Sequence, residues 1–174
     1  MKENNQIVTN LNDLLHYNAS AITHAEAELK NALHSWIEKA SSIKLKEVLM
    51  RYADYIHRHM DKMENFFTEE KVFSITPTNK VIKALIEETE EKMEICPEPE
   101  LKDACLLASV QEINHYKISL YGTSASFANT LEMDSAAVLF HEAEVSEKQI
   151  DDRLSQLAEH EINRYAKSPE LIAK

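Results

Sequence analysis

Asp103 to Leu131, DACLLASVQEINHYKISLYGTSASFANTL, contains no proline and holds the only glycine of the chain. Apolar or small residues recur in it at Leu107, Val110, Asn114, Ile118, Tyr121, Ala125 and Ala128, close to a 3.6-residue period. That pattern demands one long helix. At its middle the inward stripe carries Asn114, His115 and Lys117, where an ordinary bundle places aliphatic side chains. Burying polar groups costs a few kcal/mol each unless partners are supplied. The other segments must therefore supply them, and this requirement guides the reading of the rest of the chain.

One glycine and four prolines are too few turn-formers for an all-β fold. The class is all-α, and 174 residues suit one domain spanning 1–174 with a substantial core. The formal charge of −11 argues against binding to nucleic acid or to an anionic membrane. It suits a cation partner, and equally the ordinary acidic surface of a soluble protein. No apolar run approaches the ~18 residues of a membrane span, and MKENNQIVTN lacks the apolar core of a signal peptide. Cys96 and Cys105 make neither a disulfide framework nor a zinc motif. A cytoplasmic protein with reduced thiols is expected.

In chain order, long helices are predicted over about 10–40, 44–68, 100–131 and 134–166, with a shorter one over about 79–95. Asn10 or Asn12 caps the first, Thr78 or Asn79 the short one, and Asp134 the last. FSITPTN is a loop, Cys96-Pro97-Glu98-Pro99 ends the short helix, and KSPELIAK is a loosely held tail. The first helix presents Leu15, Ala19, Ile22, Glu26, Leu29 and Leu33 inward. The second presents Leu45, Tyr52, His59, Met63 and Phe66, and the last Phe140, Ala143, Glu147, Ile150, Leu154, Leu157 and Glu161. His57 and His59 of HRHM point in different directions, because residues two apart on a helix do not share a face.

Each long helix thus carries a polar interruption in its apolar face: Glu26, His59, the Asn114/Lys117 region, and Glu147. If the helices alternate direction with one long crossover, these fall at one depth. A single buried acid is unremarkable, whereas matched interruptions on four helices describe a site or its remnant.

Several runs resemble the YciE/YciF-type ferritin-like proteins, a bacterial stress-associated family, over nearly the whole chain. They are AEAELKNALHSWIEKASSIKLKE, ALIEETEE, KDACLLASVQEINHYKISLYGT and HEAEVSEKQIDDRLSQLA. The resemblance implies a ferritin-like four-helix bundle with an additional helix in the crossover, a homodimer, and a two-metal site of carboxylates and histidines. Glu26, His115 and Glu147 match the family pattern. Asn114 and Lys117 stand where the family's EHYE run has its two acids, and Tyr52 and Tyr55 stand where its second helix has His and Glu. Iron or manganese in an oxygen-rich site depends on anionic ligands.

Two readings follow. In the first, Lys117 occupies the metal position between Glu26 and Glu147, hydrogen bonds from Tyr52, Tyr55, Asn114 and His59 complete a site-remnant network, no cofactor is needed, and the role is structural or interactive. In the second, the literal Glu-x-x-His pair Glu112 and His115 joins Glu26, His59, Glu147 and Glu144 in a redrawn site for Fe, Mn or Zn, and the protein is an oxidoreductase or iron-handling protein. No glycine-rich phosphate loop or nucleophile elbow supports other chemistry, and fold alone does not license a storage cage.

Overall fold

The computed structural model describes residues 7–72 and 78–167. Its elements are α1 (Leu11–Lys39), α2 (Ile43–Glu69), α3 (Lys80–Glu94), α4 (Pro99–Thr130) and α5 (Asp134–Leu157), then a π-helical turn (Ala158–Ile162) and α6 (Asn163–Ala166). No strand occurs among the described residues. Residues 73–77 of the expected loop and 168–174 of the tail lie outside them.

The helix starts follow from side-chain caps that satisfy otherwise unpaired backbone donors. Asn10 Oδ1 accepts the Asp13 N–H at 2.9 Å, Ser42 Oγ accepts the Leu45 N–H at 3.3 Å, and Asn79 Oδ1 accepts the Ile82 N–H at 3.1 Å. At α5 the cap differs from expectation. Met133 is the N-cap and makes no side-chain hydrogen bond, while Asp134 is the first helical residue. Its carboxylate still sits at the positive end of the helix dipole. The far end departs too: the π-helical turn rotates the chain so that Ile162 is buried and Glu161 reaches the rim, where it pairs with Lys44.

The four long helices form a ring in the order α1, α2, α5, α4, and α3 lies against α1 and α4. A buried carboxylate sets the direction of α4. Asp103, in its second turn, is 3 % exposed and accepts the backbone N–H groups of Ser41 and Ser42 at 2.8 and 2.7 Å. It also accepts the Ser41 hydroxyl at 2.5 Å. The start of α4 is thereby tied to the α1–α2 turn, so α4 runs parallel to α2, and the α2–α4 connection crosses the length of the bundle. The Asn79 side chain anchors that crossover, its Nδ2 donating to the Ala21 carbonyl at 3.0 Å and its Oδ1 accepting the Tyr116 hydroxyl at 3.1 Å. At the other end of α3, Glu90 accepts the Trp36 indole N–H at 2.5 Å and pairs with Lys39.

The buried apolar residues fall into two clusters rather than one. Leu29, Leu33 and Trp36 pack with Leu45, Leu49, Ile56, Leu106, Val110, Ile113, Ile150 and Leu154 toward the α1–α2 turn. Leu15, Ile22, Met63, Phe66, Tyr121, Ala125, Phe140 and Ala143 pack toward the other end. The division falls at the same residues on every helix: Glu26, His59, Lys117 and Glu147. No helix among the described residues is long and apolar enough to cross a membrane.

Replacing Asp103 by Ala strands two backbone donors at a buried corner. We expect a loss of about 1–3 kcal/mol, read as a lower urea midpoint with unchanged slope. Asp103→Asn, which keeps one acceptor oxygen, should fall between wild type and Ala.

Candidate functional site

The polar layer is assembled by helical spacing on four separate elements. Asn114, Lys117 and Tyr121 are three and four residues apart on α4 and so share its inner face. Tyr52 and His59 lie two turns apart on α2, while α1 supplies Glu26 and α5 supplies Glu147. Both carboxylates are fully buried, and Lys117 is 1 % exposed.

Lys117 is the centre of this layer. Its Nζ lies 2.7 Å from Glu26 Oε2 and 2.7 Å from Glu147 Oε1, and it donates to the Tyr52 hydroxyl at 3.2 Å. The contact with Glu147 is a hydrogen bond, and that with Glu26 is an ion pair at the same distance. Tyr52 donates its own proton to Glu147 Oε2 at 2.6 Å, and Asn114 Nδ2 donates to the same oxygen at 2.7 Å. Across the layer, the Tyr121 hydroxyl donates to Glu26 Oε1. His59 Nδ1 faces both acids, 3.1 Å from Glu26 Oε1 and 3.5 Å from Glu147 Oε1. Asn114 Oδ1 has no hydrogen-bond partner. Turning the amide over to use it would aim that oxygen at the Glu147 carboxylate, so the observed orientation is the better one.

Charge balance explains the titration of these groups. Burial works against every charge here. At Lys117 it is outweighed by Glu147 and Glu26, which hold the ammonium above its usual range. At Glu26 burial is likewise outweighed, by Lys117 and His59, and the carboxyl lies below its usual value. At Glu147 burial prevails over Lys117, with the Glu26 charge adding to it, and the carboxyl is raised. Two carboxylates at the same 2.7 Å from one ammonium thus move in opposite directions. One positive charge cannot neutralise both acids in full, and the Glu26 charge adds to the burial that raises Glu147. Burial, then the nearby carboxylates, lifts the Tyr52 and Tyr121 phenols well above their ordinary range, so both stay protonated donors.

Of the residues singled out in the sequence, Glu26, Tyr52, His59, Asn114, Lys117 and Glu147 converge in the layer. Two do not. His115 has a 64 % exposed side chain and contacts Asp151 at 3.1 Å, because one residue beyond Asn114 the helix has turned by ~100°. Tyr55 lies at the bundle edge, where its hydroxyl donates to Gln149 at 3.2 Å. Glu112 is also at the surface, against Lys92, and Glu144 pairs with Lys148. The EINH pair therefore faces away from the core, and no redrawn Glu-x-x-His site forms around it. Tyr121 is the member that sequence reasoning placed only in the apolar stripe. Its position four residues after Lys117 was the available signal.

The donor set bears on the metal chemistry of such bundles. Glu26, His59 and Glu147 each offer one ligand atom, all within 4.8 Å of one another. A carboxylate-bridged pair of ions needs more anionic ligands than these. Tyr52, Asn114, Tyr121 and the Lys117 ammonium occupy the remaining inward positions, and the ammonium already lies against both acids. The residues do not fit a two-metal centre.

A four-helix ring with a helical crossover and one carboxylate-rich layer at mid-height defines a ferritin-like bundle. The chain belongs to the family described as a domain of unknown function, DUF892, whose model matches residues 10–167. It is 31% identical over 145 residues to Protein YciF of Escherichia coli (strain K12), covering 83% of this chain and 87% of the relative. The crystal structure of the E. coli stress protein YciF superposes with a TM-score of 0.84 at 28% identity, over 90% of this chain and 99% of that one. YcfI from Rhodopseudomonas palustris shares the fold with a TM-score of 0.83 at 23% identity, over 87% and 96% of the two chains.

Lys117→Met removes the shared cation and leaves two buried acids 4.8 Å or less apart through their ligand atoms. Stranding buried charge costs about 3–5 kcal/mol, and we expect a loss of that size at neutral pH. In wild type, the Glu26 contribution is complete above the ordinary carboxyl value of about 4.3 and is lost as pH falls through its lowered folded value. Glu147, raised, opposes this: its contribution is lost as pH rises from the ordinary value through its folded one. Without Lys117 both carboxyls should behave like Glu147. Thermal unfolding should then show a deficit that is largest at neutral pH and shrinks toward about pH 4. A variant as stable as wild type at every pH would refute the role given to Lys117.

Proposed function

We propose that this chain is a single ferritin-like domain, residues 1–174, whose former metal position is taken by Lys117, and that it serves as a stress-associated structural or interaction protein. The observation that carries this reading is the ammonium placed 2.7 Å from each of two buried carboxylates on facing helices. A lysine there supplies the positive charge that an ion would otherwise bring. It is held by covalent linkage, so no metal supply controls the fold. The stress association rests on the likeness to YciF, itself described as a stress protein. The same reading takes the chain as a cytoplasmic homodimer, and the acidic charge of −11 supports its engaging neither nucleic acid nor an anionic membrane.

A second reading has its own support in the convergence of Glu26, His59 and Glu147. Three protein ligands, with further positions left to water, suit a single Fe or Mn ion if the Lys117 side chain withdraws. The protein would then handle metal or carry out oxidation.

Metal analysis separates the two. Protein purified without chelators, and again after aerobic addition of ferrous iron, should hold well below one equivalent of metal and gain no thermal stability. The double variant Asn114→Glu/Lys117→Glu restores the two acids that the family resemblance places there. It should bind iron or manganese and be stabilised by it in proportion to RT ln(1 + [L]/Kd). One tightly held ion per wild-type chain, with stability lost on its removal, would overturn the first reading in favour of the second.

A further inference from the structure

Residues of α1 and α2, with Val72 just beyond α2, line a cavity of about 490 Å³ outside the polar layer. Thr23 and Lys30 mark its α1 wall, and between them, on the same face by helical spacing, α1 offers the short side chain of Ala27. Met60, Phe67 and Val72 give the cavity its apolar surface. The threonines of the lining add methyl groups, because their hydroxyl protons are spent within the helices. Thr23 Oγ1 donates to the Ala19 carbonyl at 3.0 Å and Thr68 Oγ1 to the Glu64 carbonyl at 2.9 Å. Charge is confined to the rim, and it is divided between two ends. Asp61 and Glu64 are exposed and share a face of α2. Asp61 has His57 at 3.9 Å, whereas the Glu64 carboxylate meets no cation among the described residues. Lys30 stands apart from them. With the Glu26–His59 contact as a common height, Lys30 lies toward the α1–α2 turn and Glu64 toward the other end, about 13 Å apart along the axes.

We propose that this cavity binds a small amphipathic organic cation, an alkylammonium whose charged end meets Asp61 and Glu64 and whose apolar body lies on Met60, Phe67 and Val72. The volume falls in the range of small-molecule sites, and an apolar lining with a few placed charges is their usual composition. The sign of the ligand follows from the rim. The acids stand on the same stretch of α2 as Phe67, so a cation can use both at once. An anion drawn to Lys30 would have to leave that apolar surface or lay its tail past two unneutralised carboxylates. The chain charge of −11 acts in the same direction, concentrating cations at the surface. No side chain of the Lys117 layer takes part, so the site is independent of whether that layer holds a metal.

The test titrates wild-type protein, its methionine methyl groups isotope-labelled for NMR, with octyltrimethylammonium, octanol and octanoate at sub-micellar concentrations. The ammonium should shift the Met60 methyl signal saturably and leave that of Met50, exposed elsewhere on α2, in place. Octanol, with the same chain and no charge, should bind about three- to tenfold more weakly, as expected for two exposed ion pairs. Octanoate should bind more weakly still. In Asp61→Asn/Glu64→Gln the ammonium should fall to the affinity of octanol, while octanol itself is unaffected. Glu87→Gln/Glu91→Gln, which removes two exposed acids from α3, should leave every affinity unchanged. Absence of a saturable Met60 shift, octanoate binding as tightly as the ammonium, or an equal loss in the α3 variant would each overturn the proposal. The comparison of the three probes on wild-type protein decides the matter even if a variant folds poorly.

Discussion

One ammonium group shared by two buried carboxylates governs this bundle. Lys117 meets Glu26 from α1 and Glu147 from α5 at the same distance, and Tyr52, Asn114, Tyr121 and His59 spend their polar atoms on the same two acids. Each contact is intelligible only with the others in place, since a buried acid without its cation is costly and a buried cation without its acids more so. A well-packed apolar layer in the same space would be at least as stable on general grounds. The charged layer is thus better understood as a device that sets register: Glu26, His59, Lys117 and Glu147 have to come to one height.

The rest of the architecture serves that registration. The two apolar clusters sit on either side of the layer and are free to pack as ordinary helix interfaces. Asp103 ties α4 to the α1–α2 turn, and Asn79 ties the crossover to α1 and α4. Both attachments stop α4 from sliding along its neighbours. A one-turn slip would move Lys117 by ~5.4 Å and leave the acids facing aliphatic groups.

Belonging to the DUF892 family, and lying close in structure to the E. coli stress protein YciF, places the chain among ferritin-like bundles without assigning it their metal chemistry. What distinguishes it is local. An amide and an amine stand at the α4 positions where the family resemblance places acids, and the Lys117 ammonium gives the layer a positive charge of its own. Glu26, His59 and Glu147 converge beside that ammonium, each offering one potential ligand atom.

The periodicity of the sequence was sufficient for an all-α bundle with four long helices, for the polar interruption on each of them, and for most of the layer's membership. Helical spacing is a local property, and a lone acid in an apolar stripe is visible without knowing its neighbours. The tertiary structure alone decided which polar residues near the stripe turn inward. His115 and Tyr55 share the helices of true members, but ~100° of rotation per residue sends them to the rim. Tyr121 reads as a core aromatic until Glu26 is found beside its hydroxyl. The opposite behaviour of Glu26 and Glu147 is equally beyond a sequence, because it arises from two acids on helices far apart in the chain competing for one charge.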